Sequence, residues 1–131
     1  MNTKLDKILA EISAGELVDK ITILEIKKNK ISDEEKVGNI KQELESLQIT
    51  YQKFISDNVT VKKLMEDLKN INLKLWDIEE GKRFAEKNND FGIKFIELAR
   101  NVYKFNDQRA KIKADINEVL GSNIKEVKSY K

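Results

Sequence analysis

Across most of this chain's 131 residues, apolar side chains return every three or four positions, and no proline interrupts them. Val37, Ile40, Leu44, Leu47, Tyr51 and Phe54 form one such series, and Val61, Leu64, Leu68, Ile71, Leu75 and Ile78 form a second. Phe91, Phe95, Leu98, Val102 and Phe105 form a third, continued by Ile112, Ile116 and Val119. An α-helix turns once in about 3.6 residues, so each series lies along one helical face. A strand would need alternation in steps of two, and no segment sustains it. Proline removes a backbone donor and collides with the preceding turn, so its absence leaves long helices unbroken.

The ends of these helices are also written in the sequence. Ser13-Ala14-Gly15-Glu16 and Ser32-Asp33-Glu34-Glu35 both have capping-box spacing, in which the serine oxygen accepts a backbone N–H three residues on and the glutamate reaches back. The spacing predicts a first helix over 14–31 and a second over 33–56. A third runs from a cap at Thr60 to Lys87, and a fourth from a cap at Asp90 to Leu120. Asp57-Asn58 and Asn88-Asn89-Asp90 are the breaks, and Gly121 is placed to end the fourth helix in the left-handed conformation. Leu5, Ile8, Leu9 and Ile12 share a face, so residues 2–12 form either a short extra helix or an extended lead-in. Ile124, Val127 and Tyr130 give the tail, 122–131, a means of docking as a final turn or two.

The fold expected is all-α, a single domain over 1–131: an antiparallel bundle of about four long amphipathic helices with a short C-terminal tail. Helices of roughly 24–30 residues are about 36–45 Å long. Such arms are long for a chain of this size, and coiled-coil-like packing or dimerisation would help to cover them.

Composition removes several chemistries. With no cysteine and no histidine, the chain has no thiolate nucleophile, no disulfide and none of the commonest general base or zinc ligand. The 25 basic and 23 acidic side chains leave a net charge of +2, which argues against a nucleic-acid-wrapping surface. No apolar run approaches the roughly 20 residues of a membrane span. The N-terminus, MNTKLDKILAEI, carries charges within its apolar stretch, unlike a signal peptide. A cytoplasmic protein is expected, and no cofactor is implied.

The informative positions are those where charge interrupts an apolar series. Arg109 lies in the seam between Phe105 and Ile112, and Lys28 follows Leu17, Ile21 and Leu24. A charge in such a seam must reach water or find partners. Glu16, Asp19, Lys20, Glu25, Arg100 and Arg109 are the resulting candidates for a polar site between the first, third and fourth helices. On one reading the arginines pair with carboxylates such as Glu25 or Glu80 and fix helix register. On the other, the cluster binds an anionic small molecule whose carboxylate or phosphate matches the guanidinium fork. Glu16 and Asp19 also have an E-x-x-D spacing that can serve magnesium, but only if further carboxylates converge from another helix, and no metal is assigned. Trp76, the one tryptophan, reads as core or interface filler.

The segments SAGELVDKITILEIKKNKI (13–31), LWDIEEGKR (75–83), FIELARNVYKFNDQRAKIKADIN (95–117) and GSNIKEVKSY (121–130) resemble a family of small bacterial and phage proteins of unknown function. The resemblance covers nearly half the chain, and 32–74 has no distinctive match. Relatives carry proline where this chain has Ala14, which implies a helix starting there. Some members occur near glycosyltransferase and cell-surface polysaccharide genes. The resemblance supplies no activity or binding residue.

Two functions are therefore expected to compete. The first is a non-catalytic helical interaction module that binds a protein partner or itself, as a dimer. The second is a domain binding an anionic metabolite, or a mutase-like enzyme. The chorismate-mutase type is one template, because its chemistry needs only electrostatic positioning.

Overall fold

The computed structural model describes residues 4–56 and 58–129, and its architecture is four helices. These are α1 (Ala14–Lys30), α2 (Glu34–Phe54), α3 (Val59–Lys87) and α4 (Ile93–Leu120). No strand occurs among the described residues. Nor is any described helix long and apolar enough to cross a membrane.

Register follows from the side-chain pairs. Gly81 meets Leu98 and Lys74 lies over Phe105, so α3 and α4 run antiparallel. Gly15 meets Lys113 and Asn117 while Asp19 meets Arg109, so α4 is antiparallel to α1 as well. The helix α1 is the central element. It lies against all three others, whereas the backbone of α2 runs beside α1, with Tyr51 packing onto the cluster of Val18, Leu68 and Ile116. That position explains why α1 buries Leu17, Val18, Ile21, Leu24 and Ile26 on more than one side. Leu17, Ile21 and Leu24 pack with Ile40 and Leu44 of α2, and Val18 packs with Leu68 and Ile116 between α3 and α4.

The caps depart from the expected ones at three of four helix starts. Ser13 does cap α1, accepting from the Glu16 N–H at 3.1 Å. At α2 the cap is Asp33, not Ser32, accepting from Lys36 N–H at 3.1 Å. An aspartate there caps as well as serine and adds a negative charge at the positive end of the helix. At α3 the cap is Asn58, not Thr60, consistent with the stronger capping preference of asparagine. Asp90 accepts from the Gly92 N–H in a local turn instead of capping, and α4 starts after Gly92. Gly121 ends α4 in the left-handed region, at φ 61°.

The lead-in has no regular secondary structure from residue 4 to the α1 cap, and Leu5, Ile8 and Leu9 are exposed. Within the tail, Ile124 and Val127 are exposed too; Tyr130 lies outside the described residues, as does Asp57. The tail is attached by polar contacts instead. Ser122 Oγ accepts from the Ala14 N–H at 3.0 Å, and Asn123 bonds Glu11.

Helix lengths are unequal. At about 1.5 Å per residue, the 17 residues of α1 span about 26 Å and the 29 of α3 about 44 Å. The α3–α4 pair therefore outruns α1 as a two-helix arm. Along it, large apolar residues stand open: Phe84 is 71 % exposed and Ile93 76 %. Phe91, Ile96 and Tyr103 are also exposed, and so is Phe54 at the end of α2.

Candidate functional site

The site begins at the first turn of α1, whose free N–H groups are all spoken for. Ala14 donates to Ser122 Oγ, Gly15 to Asn117 Oδ1 at 2.7 Å, and Glu16 to Ser13 Oγ. A helix start normally leaves such donors for water or an anion. Here α4 and the tail supply the acceptors, so no anion is invited. The approach is close: a Cβ on Gly15 would stand 2.5 Å from the carbonyl oxygen of Lys113.

One turn further on, Asp19 sits at the junction of α1, α3 and α4 with its side chain 1 % exposed. Arg109 of α4 grips it in fork fashion, Nε to Oδ1 at 3.0 Å and an Nη to Oδ2 at 2.5 Å. Asn72 of α3 donates to Asp19 Oδ1 and to Thr22 Oγ1, both at 2.9 Å, and Thr22 in turn donates to the Asp19 carbonyl. Lys113 joins from below, 2.8 Å from Glu16, 3.0 Å from Glu126 of the tail and 3.8 Å from Asp19. Among the described residues no buried side-chain nitrogen or oxygen lacks a partner. A fully satisfied network of this kind specifies register between helices at little net gain in stability.

The electrostatics agree. The hydrogen bonds to Asp19 raise Arg109 above its ordinary value against the opposing effect of burial. Burial pushes the Lys113 ammonium down, but its bonds to Glu16 and Glu126 outweigh that and leave it raised. Lys128 and then Lys113 hold the Glu126 carboxyl below the usual range.

Beside this network lies an open cleft of about 520 Å³. Ile23 and Ile26 of α1, Leu75 and Trp76 of α3, and Val102 of α4 form its apolar walls, while Asn106 and Arg109 form its polar end. Glu79, Glu80 and Arg83 line the opposite end, where α1 stops and the arm begins. Trp76 is therefore a half-buried cleft wall, not core filler, and its Nε1 donates to Glu80 at 2.9 Å.

Of the six residues predicted from sequence, Glu16, Asp19 and Arg109 come together. Lys20 is exposed on the neighbouring turn and borders, together with Glu16, Asp19 and Arg109, a smaller hollow that Lys27 and Glu43 also line. Glu25 instead faces Lys69 at 3.6 Å, and Arg100 is exposed on the arm, away from the network. Arg109 thus pairs with Asp19, not with Glu25 or Glu80. The E-x-x-D pair does share a face, but the side chains that meet it are two cations, Lys113 and Arg109, and the amide of Asn72, with no further carboxylate among the described residues. No group of three or more acids suited to a metal occurs among the described residues. Sequence reasoning missed Asn72, Lys113, Asn117 and Ser122. Asn72 sits beside Ile71 on the buried side of α3 and could have been found as a polar neighbour of that series. Lys113 and Asn117 stand in the same relation to Ile112 and Ile116, whereas Ser122, beyond the last helix, carries no such signal.

Apart from Asn72, the network and cleft residues lie in the segments that carry the family resemblance, and a profile match identifies the family over residues 8–131. The chain belongs to the family of unknown function DUF6165. No curated protein and no solved structure matches it. For this DUF6165 chain the geometry of the network and cleft has to carry the functional argument.

Proposed function

We propose that this chain is a non-catalytic helical interaction module that associates with a second copy of itself through the α3–α4 side of the bundle. The observation that carries the reading is surface area. A compact monomer of 15.2 kDa has an accessible surface of about 7,100 Å². This chain has 10028 Å². Both the α3–α4 arm and the lead-in expose large apolar side chains. Burying most of the excess on association would be enough for the roughly 1,000–2,500 Å² per chain that obligate homodimers cover. The internally satisfied Asp19–Arg109 pair supports the same reading, because it leaves little unspent charge for catalysis. The absence of cysteine suits a cytoplasmic setting.

Light scattering coupled to size exclusion, from micromolar to millimolar chain, tests the proposal. A dimer mass is expected; a monomer mass throughout the range refutes it.

A second reading rests on the cleft, whose volume falls in the range of small-molecule sites. Arg83 at its mouth has no ion-pair partner among the described residues, so a carboxylate or phosphate would have a guanidinium to meet. A thermal-shift screen of carboxylated and phosphorylated metabolites against wild type and Arg83→Ala tests it. Stabilisation of wild type alone supports a ligand site, and no stabilisation removes it.

A further inference from the structure

Resting on the self-association reading, we propose that the lead-in of one copy, residues 4–12, folds into a short helix in the Trp76 cleft of its partner copy. The starting observation is an apolar face with nothing against it. Leu5, Ile8, Leu9 and Ile12 follow the spacing of one helical stripe. Yet the segment has no regular secondary structure, and Leu5 is 82 %, Ile8 81 % and Leu9 88 % exposed. Nine residues are too few to hold a helix alone in water, because the cost of nucleation is not recovered over so short a length. A groove that buries the stripe would supply the missing term.

The cleft is such a groove. Its walls, Ile23, Ile26, Leu75, Trp76 and Val102, are apolar. Along α3 it extends from Asn72 to Arg83, about 16 Å, and a helix over residues 4–12 is about 13 Å long. Charges agree at the mouth. Glu79 and Glu80 stand where an incoming segment bearing Lys4 and Lys7 would lay its polar flank, and Arg83 can meet Asp6.

The segment cannot fill its own cleft in this form. Ser13 caps α1 and Glu11 is bonded to Asn123, which holds the end of the lead-in at the α1 start. Ile23, where the cleft begins, lies about 15 Å further along α1. A lead-in helix folded back beside α1 would collide with Asn117, Ser122 and Lys113, which already occupy that turn. Exchange between two copies avoids the clash and is reciprocal, each lead-in filling the other's cleft, as a closed two-fold dimer requires.

The test uses the full chain and the variant Ile8→Asp/Leu9→Asp, whose positions are exposed and so leave the folded bundle intact. Sedimentation velocity gives the mass, Trp76 emission reports the cleft, and circular dichroism reports helix gained on association. Wild type is expected to dimerise with a blue shift of Trp76 and a gain in helical signal. The double variant should dimerise at least about a hundredfold more weakly, since two large apolar side chains lose their burial. It should keep the monomer's melting temperature. A variant that dimerises as wild type does overturns this inference while leaving self-association standing. A wild type that stays monomeric with an unchanged Trp76 spectrum overturns both. A Trp76 shift caused by an added carboxylated metabolite, equal in wild type and variant and without dimerisation, overturns both in favour of a small-molecule cleft.

Discussion

Replacing Arg109 with methionine should cost more than replacing its partner Asp19 with leucine, although both changes break the same ion pair. The asymmetry comes from burial. In Arg109→Met the Asp19 carboxylate, 1 % exposed, keeps one hydrogen bond from Asn72 and a lysine 3.8 Å away. Stranding a buried charge costs about 3–5 kcal/mol, and Lys113 compensates part of it, so about 3 kcal/mol is expected. In Asp19→Leu the stranded group is Arg109, whose side chain is 29 % exposed and can turn into the open cleft. Lys113 keeps Glu16 and Glu126, and Asn72 keeps Thr22, so about 2 kcal/mol or less is expected. For a chain this long each kcal/mol lowers the melting temperature by about 4 °C, giving drops of about 12 °C and 8 °C. The double variant should recover most of the loss, because neither charge is then left without its partner. Urea unfolding followed by circular dichroism measures all four proteins. Additive single costs, or an Asp19→Leu variant weaker than Arg109→Met, would refute the account of this network.

Further outcomes follow from the close packing at the α1 start. Gly15→Ala drives a Cβ to 2.5 Å from the Lys113 carbonyl oxygen, a backbone atom, and should destabilise by about 2–3 kcal/mol. Gly38→Ala, in α2 with nothing within 4 Å, should stabilise by about 0.5–1 kcal/mol in the same urea assay. Asn117→Ala removes the acceptor of the Gly15 N–H and should cost about 1–2 kcal/mol, with earlier amide exchange at the first turn of α1. Stability should have a plateau bounded by two groups. Lys113 is raised, so its contribution is complete below the ordinary lysine value of about 10.4 and is lost as pH climbs through the raised one. Glu126 is lowered, so its contribution is complete above the ordinary glutamate value of about 4.3 and is lost as pH falls through the lowered one. Lys113→Met should flatten the alkaline limb of the urea-midpoint profile.

Local chemistry alone determined the four helices, because apolar spacing, a missing proline and a capping serine act within a few residues of one another. Ser13 and Gly121 fall where the sequence places them for that reason. Asp33 and Asn58 displaced their neighbours as caps, since two adequate capping residues stood close together and local spacing does not rank them. What lies across helices was a different matter. That Arg109 needed a partner was legible, but that the partner is Asp19 and not Glu25 depends on how α4 is registered against α1. Asn117 and Ser122 acquire their roles only when the end of α4 arrives at the start of α1, more than a hundred positions away. The arm belongs to the tertiary structure in the same way. Phe91 repeats in step with Phe95 and Leu98 like a core residue and is nevertheless exposed, because α1 is too short to reach it, and only the assembled bundle reveals which part of a helical face is left without a neighbour.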